Sequence, residues 1–220
     1  VCILPDPPGT WIVFMLTDTE GFRISAFARH VARVSYATSL MRQGVLISTT
    51  EHLLSALYSL RIDNAFIEID NLEVPIFDGS SREIVALLKQ AGRRVQRRRR
   101  RYLRVLEPVT VEDRGKRITI LPARSFHLTC HVYFDHPMVG HQSLSMEITP
   151  ERFETELAAA RTFGFAHELD QMRDMGLIRG ATLDSAVCFE KDSVLNPGGL
   201  RFPDECCRHK AVDLIGDLPL

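Results

Sequence analysis

Two short segments carry side chains that could act together on a substrate. In Ser48-Thr49-Thr50-Glu51-His52-Leu53-Leu54-Ser55-Ala56-Leu57, a carboxylate and an imidazole stand side by side at the start of an apolar helical pattern. In Arg208-His209-Lys210-Ala211-Val212-Asp213-Leu214-Ile215-Gly216-Asp217, His209 and Asp213 are four residues apart, so a helix stacks them on one face. An imidazole and a carboxylate one turn apart can both reach a single Zn²⁺ at about 2 Å. Asp217 would stand about 12 Å from His209 along the axis, which suits a supporting role better than ligation of the same ion. Two histidines, an aspartate and a spare glutamate have the composition of a catalytic zinc site: three protein ligands, an open position, and an adjacent carboxylate to accept a proton.

Each segment also has a plainer reading. Ser48 as N-cap with Glu51 three residues on makes a capping box, in which the carboxylate only satisfies a backbone N–H. His209 and Asp213 can be an i,i+4 pair on a solvated helix face, with Cys207, Ala211, Leu214, Ile215 and Leu218 marking the opposite, buried side. Sequence spacing cannot establish that His52 meets the His209–Asp213 pair.

Other clusters carry less. His127, Cys130, His131, His136 and His141 have a metal-site composition. In a strand, however, His127 and His131 would lie about 13 Å apart and Cys130 would point to the other face. Cys206-Cys207 beside His209 suggests a thiol nucleophile, but the helical pattern buries Cys207, and buried thiols are usually inert. Residues 93–101 hold seven arginines and no acid; they could grip nucleic-acid phosphates, yet only Tyr102 offers an aromatic platform nearby. A solvated linker between domains is the better reading, and no nucleic-acid partner is expected.

The elements that must position these residues follow from periodicity. Strands are expected at Ile12–Leu16, Ile24–Ala28, Ala65–Ile69, Tyr102–Leu106, Val109–Glu112, Arg117–Leu121 and Phe126–Phe134, with Asp113-Arg114-Gly115 as a hairpin turn. Helices are expected from Glu51 to Leu60, after a Ser80-Ser81 cap up to Gly92, at Pro150–Ala160, at Ala166–Met175 and from about Pro203 to Leu218. Asn196-Pro197-Gly198-Gly199 reads as a tight turn. The result is an α+β protein in two units, residues 1–92 and 102–220, joined by the basic segment 93–101.

Composition agrees with a packed protein: 45% of the 220 residues are hydrophobic and 25% charged, which excludes disordered and low-complexity classes. The net charge of −1 conceals an acidic body, because seven of the 27 basic residues sit in the arginine segment. No apolar run approaches the roughly 20 residues of a membrane helix. Five cysteines, an odd number without a regular framework, suggest reduced thiols and a cytoplasmic location.

Several motifs resemble the zinc-dependent UDP-3-O-acyl-N-acetylglucosamine deacetylases of lipid A synthesis. They are Thr50-Glu51-His52-Leu53 through Ile62-Asp63-Asn64, Val74-Pro75-Ile76-Phe77-Asp78-Gly79-Ser80, and Phe134-Asp135-His136-Pro137. Ala160-Arg161-Thr162-Phe163-Gly164-Phe165, Val194-Leu195-Asn196 through Leu200-Arg201-Phe202, and Arg208-His209-Lys210 with Asp213 and Ile215-Gly216-Asp217-Leu218 complete the set. They occur in family order over nearly the whole chain.

The resemblance implies that His52, His209 and Asp213 hold Zn²⁺ and that Glu51 is the general base. It implies that Thr162 hydrogen-bonds the developing oxyanion, that Lys210, Phe163 and Phe165 hold the substrate, and that Asp217 orients a general-acid histidine. The substrate would be the UDP-linked acylated amino sugar, deacetylated in the committed step of lipid A synthesis, and the protein a monomer. The implied fold is two sandwiches, each a sheet against a helix pair with the active site between them. The second would carry a βαβ insert, around residues 163–196, that guides the acyl chain. The family pattern begins before Val1 and continues past Leu220, where its general-acid histidine lies, and Glu168 stands where many members have Asp. This reading therefore expects a metal-binding chain with impaired turnover. Its alternatives are a non-catalytic remnant that binds substrate or partner, and a nucleic-acid-binding module built on the arginines.

Overall fold

A computed structural model describes residues 1–18, 21–34, 37–168 and 182–220. Its strands in chain order are β1 (Cys2–Pro5), β2 (Ile12–Leu16), β3 (Phe22–Ser25), β4 (Val31–Val34), β5 (Thr38–Arg42), β6 (Val45–Ile47) and β7 (Ala65–Ile69). After the arginine segment come β8 (Val109–Asp113), β9 (Lys116–Ile120), β10 (His127–Phe134), β11 (Gly140–Glu147), β12 (Phe163–Phe165), β13 (Val187–Glu190) and β14 (Ser193–Val194). The helices are α1 (Glu51–Ser59), α2 (Arg82–Ala91), the short α3 (Pro150–Arg152) and α4 (Glu205–Asp217). The protein is therefore α+β, as its patterning predicts.

The largest sheet has the order β1-β7-β2-β3, with β7 parallel to β2 and the outer pairs antiparallel. In β7 alternate residues Ala65, Ile67 and Ile69 are buried, and in β2 Phe14 and Leu16, so the sheet has one apolar face. Helix α1 packs into the same core. Every residue of α1 except Tyr58 is buried, which marks a helix enclosed on all sides rather than a surface one. The core cluster that holds Phe14, Ile67, Leu53 and Leu57 also includes Leu128, Met146, Phe153, Val212 and Ile215. Apolar side chains from before and after the arginine segment thus share one interior.

Helix α4 lies against α1, and β10 and β11 pack on it. Gly216 permits this approach: a Cβ at that position would overlap the carbonyl oxygen of Glu51. The hairpin expected at residues 113–115 joins β8 to β9, with Arg114 at φ 47° and Gly115 at φ 76°. Two positive φ values in a two-residue loop match the twist of the flanking strands.

Several expectations shift. Tyr102–Leu106 forms no strand, because no neighbouring edge pairs with it; Tyr102 instead faces the Arg100 guanidinium. The expected strand Ile24–Ala28 becomes β3, ending at Ser25, followed by a 3₁₀ turn at Ala28–His30. The expected helix Pro150–Ala160 is α-helical only to Arg152 and π-helical over Phe153–Leu157. Phe153 and Leu157, four apart and so on one face, both reach the core. Most of the helix expected at Ala166–Met175, with its closing Gly176, lies outside the described residues. The arginine segment is not simply solvated. Arg93 donates to the Leu60 carbonyl, Arg98 to the Pro8 carbonyl, Arg100 pairs with Asp63 at 2.8 Å, and Arg101 stacks over Trp11.

Candidate metal centre

Helix α1 begins at Glu51, so Glu51 and His52 occupy its first turn. Thr50 is the residue before the helix, and the Ser48 N–H bonds to the Leu72 carbonyl. The capping box is therefore not formed. Glu51 is the first helical residue rather than the third, and its Oε2 accepts the Thr38 N–H from β5 at 3.0 Å. The Ser81 hydroxyl donates to the His52 carbonyl, tying the start of α2 to the same turn.

On α4, His209 and Asp213 are stacked as the spacing requires, with His209 Nε2 3.3 Å from Asp213 Oδ1. The face is not solvated: His209 is only 1% exposed, because α1 covers it. Leu218, expected on the buried side, is instead exposed just beyond the end of the helix. His52 Nε2 lies 3.7 Å from the same Asp213 oxygen, and the two imidazole rings meet edge to face at 4.9 Å. One ligand atom from each of His52, His209 and Asp213 falls within 4.8 Å of the others. Among the described residues this is the one group of His, Cys, Asp and Glu so arranged. The alternative cluster forms no such group among the described residues: His131 stacks on His141, and His136 packs against Phe165.

The donor set fits a cation. His209 Nδ1 is 3.1 Å from the Ala160 carbonyl, so the ring proton resides there and Nε2 presents a lone pair. That lone pair and Nε2 of His52 both face Asp213 Oδ1, a buried oxygen with no hydrogen-bond partner. The His209 lone pair and the Asp213 oxygen are acceptors turned towards one another without a proton between them, and a bound cation resolves that conflict. Ligand atoms about 2.0–2.1 Å from a tetrahedral ion lie about 3.4 Å apart, close to the His209–Asp213 separation of 3.3 Å.

Burial sets the protonation of the cluster. It pushes the His52 imidazole down to about 4, helped by the neighbouring His209, and pushes His209 down as well. Both rings are therefore neutral at pH 7, the form a metal requires. Burial raises the Asp213 carboxyl, but His209, Lys210 and His52 outweigh it and hold the group below its usual range. Glu51 is pushed up to about 8 by burial and by the charge of Asp213. Asp217 rises to about 6, again through burial and Asp213 and against a hydrogen bond from the Thr38 side chain; its Oδ1 is buried without a partner.

The remaining expected residues surround this cluster. Lys210, half-exposed, donates to Asp213 Oδ2 at 2.8 Å and lies over the Phe163 ring. Phe163 meets the His209 ring at 6.4 Å. Phe165 belongs to a second buried apolar group with Val139, Val187 and Phe189. Thr162 follows Ala160 by two residues; its N–H donates to the Gly79 carbonyl and its own carbonyl accepts from Val187. Sequence reasoning assigned no role to Thr38 or to the Ala160 carbonyl. Both act partly through backbone groups, which leave no residue-type signal. A separate cavity of about 1080 Å³ lies under the arginine segment, lined by Leu4, Trp11 and Arg98 among others, and shares no residue with the histidine cluster.

An α+β protein with two neutral buried imidazoles, a carboxylate oxygen without a partner and a neighbouring carboxyl of raised pKa has the makings of a hydrolytic metal centre. Residues 1–220 match the sequence model of LpxC, UDP-3-O-acyl N-acetylglycosamine deacetylase, and the chain belongs to that family of deacetylases. It is similar to proteins named UDP-3-O-acyl-N-acetylglucosamine deacetylase from several bacteria. The relative from Solibacter usitatus is 64% identical over 99% of this chain and 74% of its own length. Those from Syntrophotalea carbinolica and Myxococcus xanthus are 44% and 43% identical over 98% of this chain, and 70% and 69% of their own lengths. Among the described residues no helix is long and apolar enough to cross a membrane.

Proposed function

We propose that the protein hydrolyses the acetamide of UDP-3-O-acyl-N-acetylglucosamine, a step of lipid A synthesis, with Zn²⁺ held by His52, His209 and Asp213. The observation that carries this reading is Asp213 Oδ1, buried without a partner and faced by two imidazole nitrogens. Zinc bound there would polarise the amide carbonyl and lower the pKa of a bound water to about 7.

The chain's own groups do the rest. Glu51, beside His52 in the first turn of α1, takes the proton of the attacking water. The Thr38 N–H holds Oε2 and so fixes the direction of that carboxyl. Thr162 donates a hydrogen bond to the developing oxyanion. Lys210 and Phe163, already in contact over the His209–Asp213 edge, hold the substrate, with Phe165 behind them. Asp217, with one free buried oxygen, orients the group that protonates the leaving amine.

The same reading divides the chain into units 1–92 and 102–220, each a sheet against helices, with the site at their seam. Its support is that His52 precedes the arginine segment while His209 and Asp213 follow it. The parallel pairing of β12 with β13 supports a βαβ insert around residues 163–196, because parallel strands need a crossover. The reading takes the protein as a cytoplasmic monomer that binds a UDP-sugar and not nucleic acid.

The test is acetate release from UDP-3-O-acyl-N-acetylglucosamine by the zinc-loaded protein, read beside its metal content. Loss of both zinc and hydrolysis in His209→Ala is expected. Zinc retained in that variant would overturn the ligand assignment, and a zinc-loaded protein that never releases acetate would make it a binding remnant.

A further inference from the structure

Glu205 opens α4 one turn before His209 and is buried against Arg161, whose side chain is also almost enclosed. Its carboxylate collects four donors: the Arg161 N–H at 3.0 Å, Arg161 Nε at 2.9 Å, Arg161 Nη2 at 3.2 Å and the Arg201 N–H at 2.6 Å. Arg161 Nη2 donates also to the Gly199 carbonyl at 2.7 Å. Arg201 in turn donates to the Ala159 carbonyl and pairs with Asp78 at 2.9 Å.

The consequence falls on residues 159–162, where every peptide is held. Arg201 takes the Ala159 carbonyl, His209 Nδ1 the Ala160 carbonyl, Glu205 the Arg161 N–H, and Gly79 the Thr162 N–H. The Ala160 carbonyl sits between two of these fixed points, and it sets the ring orientation and tautomer of His209. A buried ion pair is a poor way to gain stability, since packed apolar residues of similar volume often do as well or better. A planar fork that makes three directed bonds is a good way to fix a backbone.

We propose that Arg161 and Glu205 are positioning residues: through the segment 159–162 they aim His209 Nε2 at the metal position and hold Thr162 beside it. This rests on the metal reading above. It assigns to the pair a role that neither residue could perform by direct contact with the metal.

The test uses the whole chain loaded with Co²⁺, whose visible spectrum reports ligand geometry. Arg161→Lys and Glu205→Gln should alter that spectrum and weaken zinc binding by about 10- to 100-fold, as losing an outer partner of a metal-bound histidine does. Leu88→Ala, a core truncation in α2 remote from the pair, should lower thermal stability and leave the spectrum unchanged. If His209→Ala leaves the cobalt spectrum intact, the metal reading itself fails. If His209→Ala abolishes it while Arg161→Lys and Glu205→Gln keep the parental spectrum and zinc affinity, the positioning role alone fails. Should neither substituted protein fold, the pair is a stability element and the positioning role is likewise overturned.

Discussion

The carbonyl oxygen of Glu51 occupies the space that a side chain at Gly216 would need. This contact brings the first turn of α1 onto the last turns of α4, and it sets the distance at which His52 meets Asp213. Gly216→Ala should therefore push the helices apart, costing about 1–3 kcal/mol as overpacking does and weakening zinc binding at the same time. Thermal melting and zinc titration check this. Unchanged values for both would show that the helices have slack.

Zinc should stabilise the fold through its binding free energy. His209 Nε2 turns a lone pair on the unpartnered Asp213 Oδ1, a repulsion that a bound cation would relieve. At a free zinc concentration a hundred times Kd, the gain is about 2.7 kcal/mol. Chelation should lower Tm and added zinc restore it, and His209→Ala should remove the response. A Tm indifferent to chelator would count against the site.

Glu51→Gln should retain zinc and lose about 10²- to 10⁴-fold in hydrolysis, because the amide cannot accept the proton. The substitution nearly preserves shape, and Gln Oε1 can still accept the Thr38 N–H. Equal kcat in parent and variant would remove Glu51 from the mechanism.

Asp78 ties the first part of the chain to Arg201. Burial pushes its carboxyl up, but hydrogen bonds from Ser80 and Arg201 and the Arg201 charge outweigh this and hold it below 3.8. Its folded pKa lies below the unfolded one, so its stabilisation is present above about 3.8 and is lost as pH falls through the folded value. Asp78→Asn should lower stability at neutral pH and flatten the acid limb of the stability profile below about pH 4. An unaltered acid limb would mean that the Arg201 pairing contributes nothing.

The arginine segment should not bind nucleic acid. Arg93, Arg98, Arg100 and Arg101 are engaged with carbonyls, Asp63 or Trp11. Titration with labelled oligonucleotides at low salt is expected to give no saturable signal. Steeply salt-dependent binding would restore the alternative reading.

Much of this was legible in residue patterns. The boundaries of α1 and α4, the Gly92 helix end and the Arg114-Gly115 turn follow from local spacing, and so does the pairing of His209 with Asp213. The misreadings were equally local in origin. Tyr102–Leu106 has strand-forming residues but no edge to pair with, and Ser48-x-x-Glu51 has the spacing of a capping box, but the helix starts at Glu51.

An i,i+4 relation is written into the chain because 3.6 residues complete a turn whatever surrounds them. For that reason the imidazole–carboxylate half of the site, its helix and the acidic character of the body could be read before any coordinates. The arrival of His52 opposite that pair could not. It depends on two helices distant in sequence packing through a glycine, and on a core shared by both parts of the chain. The direction of Glu51 towards β5 and the grip of Arg161 and Glu205 on the segment beside His209 have the same origin. They are contacts between elements, created by packing and by backbone groups that every residue carries alike.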